Sequence, residues 1–147
     1  MAKKKVTVPA VNKEKDIQQK MIMYQLLQKH LEELKQQAMI IERKNLELEI
    51  TKQSVKDIDA LKKDNEILIS LGSGFYGFGE FNDLKKILVD IGSGVFIKKT
   101  VGSASDILKG KGKEIEDLNK KLQHELNDVV TKMNEIAAEV ETAQRGK

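Results

Sequence analysis

Apolar residues recur every three and four positions along two long stretches, with a strand-patterned segment between them. In the first stretch one set is Ile17, Tyr24, Leu31, Ala38 and Asn45, and the other is Leu27, Leu34, Ile41, Leu48 and Val55. Alternation by three and four is the a/d seam of a coiled coil. Residues 16–64 hold no Gly or Pro, so a single helix of roughly 70 Å is predicted. In the second stretch Asn119, Leu126, Met133 and Val140 alternate with Leu108, Ile115, Leu122, Val129, Ile136 and Ala143. Gly110 and Gly112 predict a frayed or bent start to this helix.

Residues 66–101 break the heptads. They read as EILISL, GSG, FYGFGEF, NDLKK, ILVDIG, SG and VFIKKT, which predicts two β-hairpins with Gly-containing turns. Ile67, Leu68, Ile69 and Leu71 leave the first strand apolar on both faces, and Ile87, Leu88, Val89 and Ile91 do the same for the third. Two short hairpins bury little alone. Strands this apolar need cover on both sides, which one helical hairpin does not provide. The fold class is therefore α+β: a long antiparallel coiled-coil helical hairpin with two β-hairpins inserted between its helices. Ile67, Ile69, Leu71, Val89, Ile91, Val95 and Ile97 are the candidate oligomerisation residues. The expected segments are a basic flexible tail over 1–15, an N-terminal helix over 16–65, the hairpins over 66–101 and a C-terminal helix over 102–147, within a single domain.

In an antiparallel pair, a positions of one helix sit level with d positions of the other. One register sets Tyr24 against Ala143, Leu27 against Val140, Leu31 against Ile136, Leu34 against Met133, Ala38 against Val129 and Ile41 against Leu126. It places Val55 beside Gly112, Asn45 opposite Leu122 and Leu48 opposite Asn119. The two asparagines then occupy adjacent layers, close enough to bond across the seam and fix register. In this register residues 17–23 lie beyond the end of the partner helix. That tip carries Ile17, Met21, Ile22 and Met23, with Leu26 just past it, and all but Ile17 fall off the seam. Met is flexible and polarizable and suits surfaces that accept many apolar shapes. Exposed apolar clusters mark interaction sites, and the same cluster also fits a wider helix face packing on another subunit's arm, or simple fraying.

Composition agrees with long helices. Aromatics are 4% and charged residues 33% of 147, and Trp and Cys are absent, so neither a disulfide framework nor a thiolate site is available. No apolar run approaches the roughly 18–20 residues that span a bilayer, and no signal peptide is visible. The net charge of +3 is uneven: residues 1–15 carry Lys3, Lys4, Lys5, Lys13 and Lys15 against Glu14, a net of +4, so the rest sums to −1. A Lys-rich terminus can touch nucleic acid or acidic surfaces; a solubilising tail explains it more simply. Gly72, Gly74 and Gly77 match the G-x-G-x-x-G spacing of dinucleotide sites, but that motif requires a helix to follow. Here Phe75, Tyr76, Phe78 and Phe81 continue as strand, so the glycines read as turn formers. His30 and His124 are the only histidines. Both read as solvated helix residues, and no catalytic constellation, metal site or cofactor is expected.

The order helix, two hairpins, helix resembles the α class of the prefoldin family. Ile69-Ser70-Leu71-Gly72-Ser73-Gly74-Phe75-Tyr76 is similar to the family's first-hairpin motif. Ile87-Leu88-Val89-Asp90-Ile91-Gly92-Ser93-Gly94-Val95-Phe96-Ile97-Lys98-Lys99-Thr100 is similar to the second, and Ser103–Leu108 to the start of its second helix. Ser70 stands where the family often has Pro, and Gly77 and Gly79 thin out the second strand. The resemblance implies a hexamer of two α-class and four β-class subunits whose hairpins form a double barrel from which coiled coils project. It implies an ATP-independent cytoplasmic holdase that grips unfolded polypeptides at the tips and delivers them to a group II chaperonin. On that basis Ile17, Met21, Ile22, Met23 and Leu26 are the expected client residues, joined by Met133, Ile136 and Val140 when the tip frays. The alternative is a structural coiled-coil adaptor or a homo-oligomeric prefoldin-like filament protein. Nucleic-acid binding through the tail is a weaker third reading.

Overall fold

A computed structural model describes residues 8–146. The elements run α1 (Val8–Ala60), β1 (Ile67–Gly72), β2 (Phe75–Gly79), β3 (Lys86–Asp90), β4 (Phe96–Thr100) and α2 (Val101–Arg145). Helix α1 begins before the expected Asp16. Pro9 falls in its first turn, where a missing N–H costs no intrahelical bond. Lys13 and Lys15 are therefore helical, while Lys3, Lys4 and Lys5 lie outside the described residues. No helix among the described residues is long and apolar enough to cross a membrane.

The chain divides into two compact units, residues 1–41 with 117–147, and residues 42–116. In the first, the heptad positions of both helices close on one another. Leu34, Leu122, Val129 and Met133 are buried, and Tyr24, Leu27, Leu31, Ala38, Ile41 and Leu126 pack against them. In the second, Leu48, Val55 and Ala104 are buried.

The observed register differs from the expected one by a single heptad. Ala143 lines a hollow with Ile17 rather than meeting Tyr24, and Tyr24 shares a slot with Ile136 and Val140. In the second unit it is Leu48, not Val55, that approaches Gly112: a Cβ there would sit 3.5 Å from Leu48 Cδ2. Sliding two heptad seams by seven residues keeps every a position level with a d position, so the pattern alone admits both registers. Consequently residues 17–23 do not overhang the partner helix. Asn45 and Asn119 are both exposed, so neither forms a buried polar layer. Helix α2 runs unbroken through Gly110 and Gly112; Gly112 provides room for Leu48 and Lys52 instead of a bend.

The segment between the helices forms two separate antiparallel two-stranded sheets, β1–β2 and β3–β4. Helix α1 ends in a turn over Leu61–Asn65, where Asn65 Oδ1 accepts the Lys62 N–H at 2.7 Å. Both hairpin turns need left-handed backbone: φ is +91° at Gly72, +51° at Ser73 and +83° at Gly74, and +112°, +53° and +74° at Gly92, Ser93 and Gly94. That is the conformation in which glycine pays no Cβ penalty. Strand β2 follows Gly74 directly, so the G-x-G-x-x-G spacing belongs to a turn. At the far end Thr100 closes β4 and caps α2, its Oγ1 accepting the Ser103 N–H at 3.1 Å.

Candidate functional site

Two apolar surfaces stand out, one in each unit. The first lies near the start of α1. Met21, Ile22, Met23 and Leu26 are each more than half exposed, although the neighbouring Tyr24 and Leu27 pack against the buried core. Their heptad positions lie off the seam, and burial elsewhere in the unit does not reach them. Ile17, Ile136 and Val140 are half-buried seam residues. Met133 is buried in the core, so it is not available to a ligand while the helices stay paired. Met21 also borders the slot floored by Tyr24, Ile136 and Val140 and edged by Gln28 and Gln144, a volume of about 390 Å³. The structure thus joins Met21 to Ile136 and Val140, and leaves Ile22, Met23 and Leu26 outside that slot.

Ion pairs clamp the same region. Lys20 Nζ lies 2.9 Å from Asp16 Oδ2 and 3.0 Å from Glu139 Oε2. Its hydrogen bonds to Asp16 and then Glu139 hold the ammonium above the ordinary lysine value of 10.5. His30 is more than a solvated residue: Nε2 sits 3.1 Å from Glu125 Oε1 across the seam, and Nδ1 is 3.9 Å from Glu33 Oε2. His124 Nδ1 pairs with Asp128 Oδ2 on its own helix at 3.0 Å. Among the described residues no group of three or more His, Cys, Asp and Glu is arranged to hold a metal.

Further exposed apolar side chains occur at Met39, Ile40, Leu118 and Val130 in this unit. They lie off the heptad seam, as Met21, Ile22, Met23 and Leu26 do, but outside the overhang expected from the sequence. Heptad position along both whole helices marks them.

The second surface is the pair of hairpins. In β1–β2 the register Ile67–Gly79, Leu68–Phe78, Ile69–Gly77 and Ser70–Tyr76 puts Leu68, Tyr76 and Phe78 on one face and Ile67, Ile69 and Leu71 on the other. The second face lies over two glycines. A Cβ at Gly79 would be 2.7 Å from Ile69 Cδ1, and one at Gly77 would be 3.9 Å from Leu71 Cδ1. These glycines make room for the branched side chains opposite. In β3–β4 Val89 pairs with Ile97 and Leu88 with Lys98. Of the expected oligomerisation residues, Ile69, Leu71, Ile91, Val95 and Ile97 are exposed and Ile67 and Val89 half-buried. Leu68, Phe75, Tyr76, Phe78, Leu88 and Phe96 are exposed as well and extend the surface to both faces.

The family model "Prefoldin subunit" matches residues 27–146. Among curated relatives, "Prefoldin subunit alpha" of Archaeoglobus fulgidus is 30% identical over 135 residues, covering 92% of this chain and 98% of the relative. Human "Prefoldin subunit 5" is 32% identical over 85 residues, covering 52% of this chain and 55% of the relative. Among solved structures, a filamentous PFD from Methanocaldococcus jannaschii superposes with a TM-score of 0.69 at 15% identity, covering 83% of this chain and 98% of that one.

Proposed function

This chain belongs to the prefoldin family, and from that premise we propose that it acts as an α-class co-chaperone subunit. Two copies join four β-class subunits through their hairpins, with Ile67, Ile69, Leu71, Val89, Ile91, Val95 and Ile97 in the contact. Non-native polypeptides are held at Ile17, Met21, Ile22, Met23 and Leu26, with Ile136 and Val140 contributing from α2. Met133 takes part only when the seam opens. The complex works in the cytoplasm without hydrolysing ATP and hands its clients to a group II chaperonin. No cofactor and no catalytic residue enter this scheme.

The observation that carries the reading is the exposure of Met21, Ile22, Met23 and Leu26 beside a paired seam that does not cover them. Four large apolar side chains within six positions gain nothing for the arm itself. Covering them with a client's apolar segment contributes a few kcal/mol at about 25 cal/mol per Å². Several such arms acting on one client convert weak contacts into retention.

Changing Met21, Ile22 and Met23 to Ser removes this surface and leaves the seam intact. The variant is expected to assemble with a β-class subunit as the parent does, yet no longer suppress aggregation of an unfolded test protein. Undiminished suppression would place the client site elsewhere. The second reading, a self-assembling filament or adaptor protein, draws on the apolar strands that this chain itself exposes. Native mass spectrometry with a β-class subunit separates the two: a discrete complex in fixed ratio supports the co-chaperone, and an open-ended homo-oligomer series supports the filament.

A further inference from the structure

Methionine is the side chain of this molecule most open to attack by a peroxide. The chain has no Cys and no Trp, and five Met. A thioether takes one oxygen from a hydroperoxide and becomes a sulfoxide, a reaction for which a thiolate would compete. Here no thiol competes. Met1 lies outside the described residues, and the other four fall into two classes. Met21, Met23 and Met39 are 52%, 53% and 59% exposed, whereas Met133 is 8% exposed, in the core cluster with Leu34, Leu122 and Val129.

Two of the three exposed thioethers stand in the apolar cluster near the start of α1. Met21 and Met23 supply half of the group Met21, Ile22, Met23 and Leu26, and Met21 also lines the slot with Tyr24, Ile136 and Val140. A sulfoxide is polar, so oxidation withdraws apolar contact area while the side chain stays in place. Neither residue belongs to the core cluster or packs against it, so the seam loses nothing. Gln25, Gln28 and Gln144 edge the same slot, and their amide N–H groups can donate to a sulfoxide oxygen on Met21. Both states of the surface therefore suit the folded arm.

We propose that Met21 and Met23 form a reversible oxidation site that switches off the holding of clients. The step transfers one oxygen atom. The O–O bond of hydrogen peroxide breaks, an S–O bond forms, sulfur gives up two electrons to the peroxide, and water leaves. Sulfoxide reductases reverse it: a dithiol supplies two electrons and becomes a disulfide, and the oxygen leaves as water. The effect on clients rests on the surface proposed above, but the selectivity does not, since exposure alone sets Met21 and Met23 apart from Met133. Met39 is a control within the same chain, because it is as exposed as they are and lies outside the client cluster.

The test treats the full chain with hydrogen peroxide, removes the peroxide with catalase, and only then adds an untreated β-class subunit. Peptide mass spectrometry is expected to find one added oxygen on Met21, Met23 and Met39 about tenfold sooner than on Met133. Helical circular dichroism should hold, while suppression of aggregation falls about tenfold and returns after treatment with sulfoxide reductases and a dithiol. Each variant is compared with its own untreated sample. Met39→Leu is expected to lose as much as the parent, and a chain with Met21→Leu and Met23→Leu to lose nothing. The proposal is overturned by Met133 oxidising as fast as Met21, by suppression that survives sulfoxides at Met21 and Met23, by a loss the reductases do not reverse, or by an equal loss in the double Leu chain. The variant with Met21, Ile22 and Met23 changed to Ser separates the two ideas. If it fails to suppress aggregation while the oxidised parent succeeds, the client surface stands and the switch falls; if both succeed, the client surface falls as well.

Discussion

A methyl group on Gly79 would lie 2.7 Å from Ile69 Cδ1, while one on Gly77 would meet only Leu71 Cδ1, at 3.9 Å. The two glycines sit two residues apart on the same strand, yet their tolerance differs. Gly79→Ala must displace the end of the Ile69 side chain, a cost of about 1 kcal/mol, and alters the face that Ile69 presents. Gly77→Ala adds an ordinary van der Waals contact. Hydrogen exchange at the β1–β2 amides is expected to speed up several-fold in the first variant and to change little in the second. In the sequence both glycines read as defects in a strand, because nothing in the pattern says which side chain lies across from them. The register with Ile67 and Ile69 supplies that information. His30 was equally opaque. Its distance from a seam leucine was legible, but its approach to Glu125 depends on which heptads of α2 stand opposite.

Along the helices, burial follows the heptads. Leu34 is 1% exposed and sits among Leu122, Val129 and Met133, whereas Ile40, on the same helix, is 55% exposed. Leu34→Ala is therefore expected to cost about 2–4 kcal/mol and Ile40→Ala less than about 0.5 kcal/mol, read from thermal unfolding followed by helical circular dichroism. The seam was legible from residue spacing, from Ile17 to Val140, except at Asn45 and Asn119, which are exposed, and so were the four strands with their glycine turns. The alignment of one helix on the other was not. A repeat of seven leaves Tyr24 equally suited to Ala143 and to Ile136, and Gly112 equally suited to Val55 and to Leu48. The structure sets Leu48 beside Gly112 and Tyr24 beside Ile136, and pairs Lys20 with Glu139 and His30 with Glu125, contacts that no periodicity encodes. The exposure of Met21, Ile22, Met23 and Leu26 does not depend on that choice, because they are off the seam in either alignment.

On the proposed reading of the molecule as a whole, client retention and assembly are separate properties held by separate residues. Changing Leu71 and Ile91 to Asp places charges on exposed turn-end positions of both hairpins and touches no buried seam residue. Such a chain is expected to keep its helical circular dichroism and remain monomeric beside a β-class subunit. Its suppression of aggregation should fall by an order of magnitude or more at equal arm concentration, because one arm lacks the linkage that makes several weak grips strong. Suppression equal to the parent's would show that single arms suffice. The junctions between helix and sheet add a mechanical asymmetry to this division. Strand β4 passes into α2 with no residue between them, and Thr100 belongs to both, closing the ladder and capping the helix. At the other end, residues 61–66 separate α1 from β1. One joint is direct and the other runs through a six-residue turn. A rotation of the second hairpin on docking would thus pass undamped into the first turns of α2, while α1 would absorb it in its six-residue coupling.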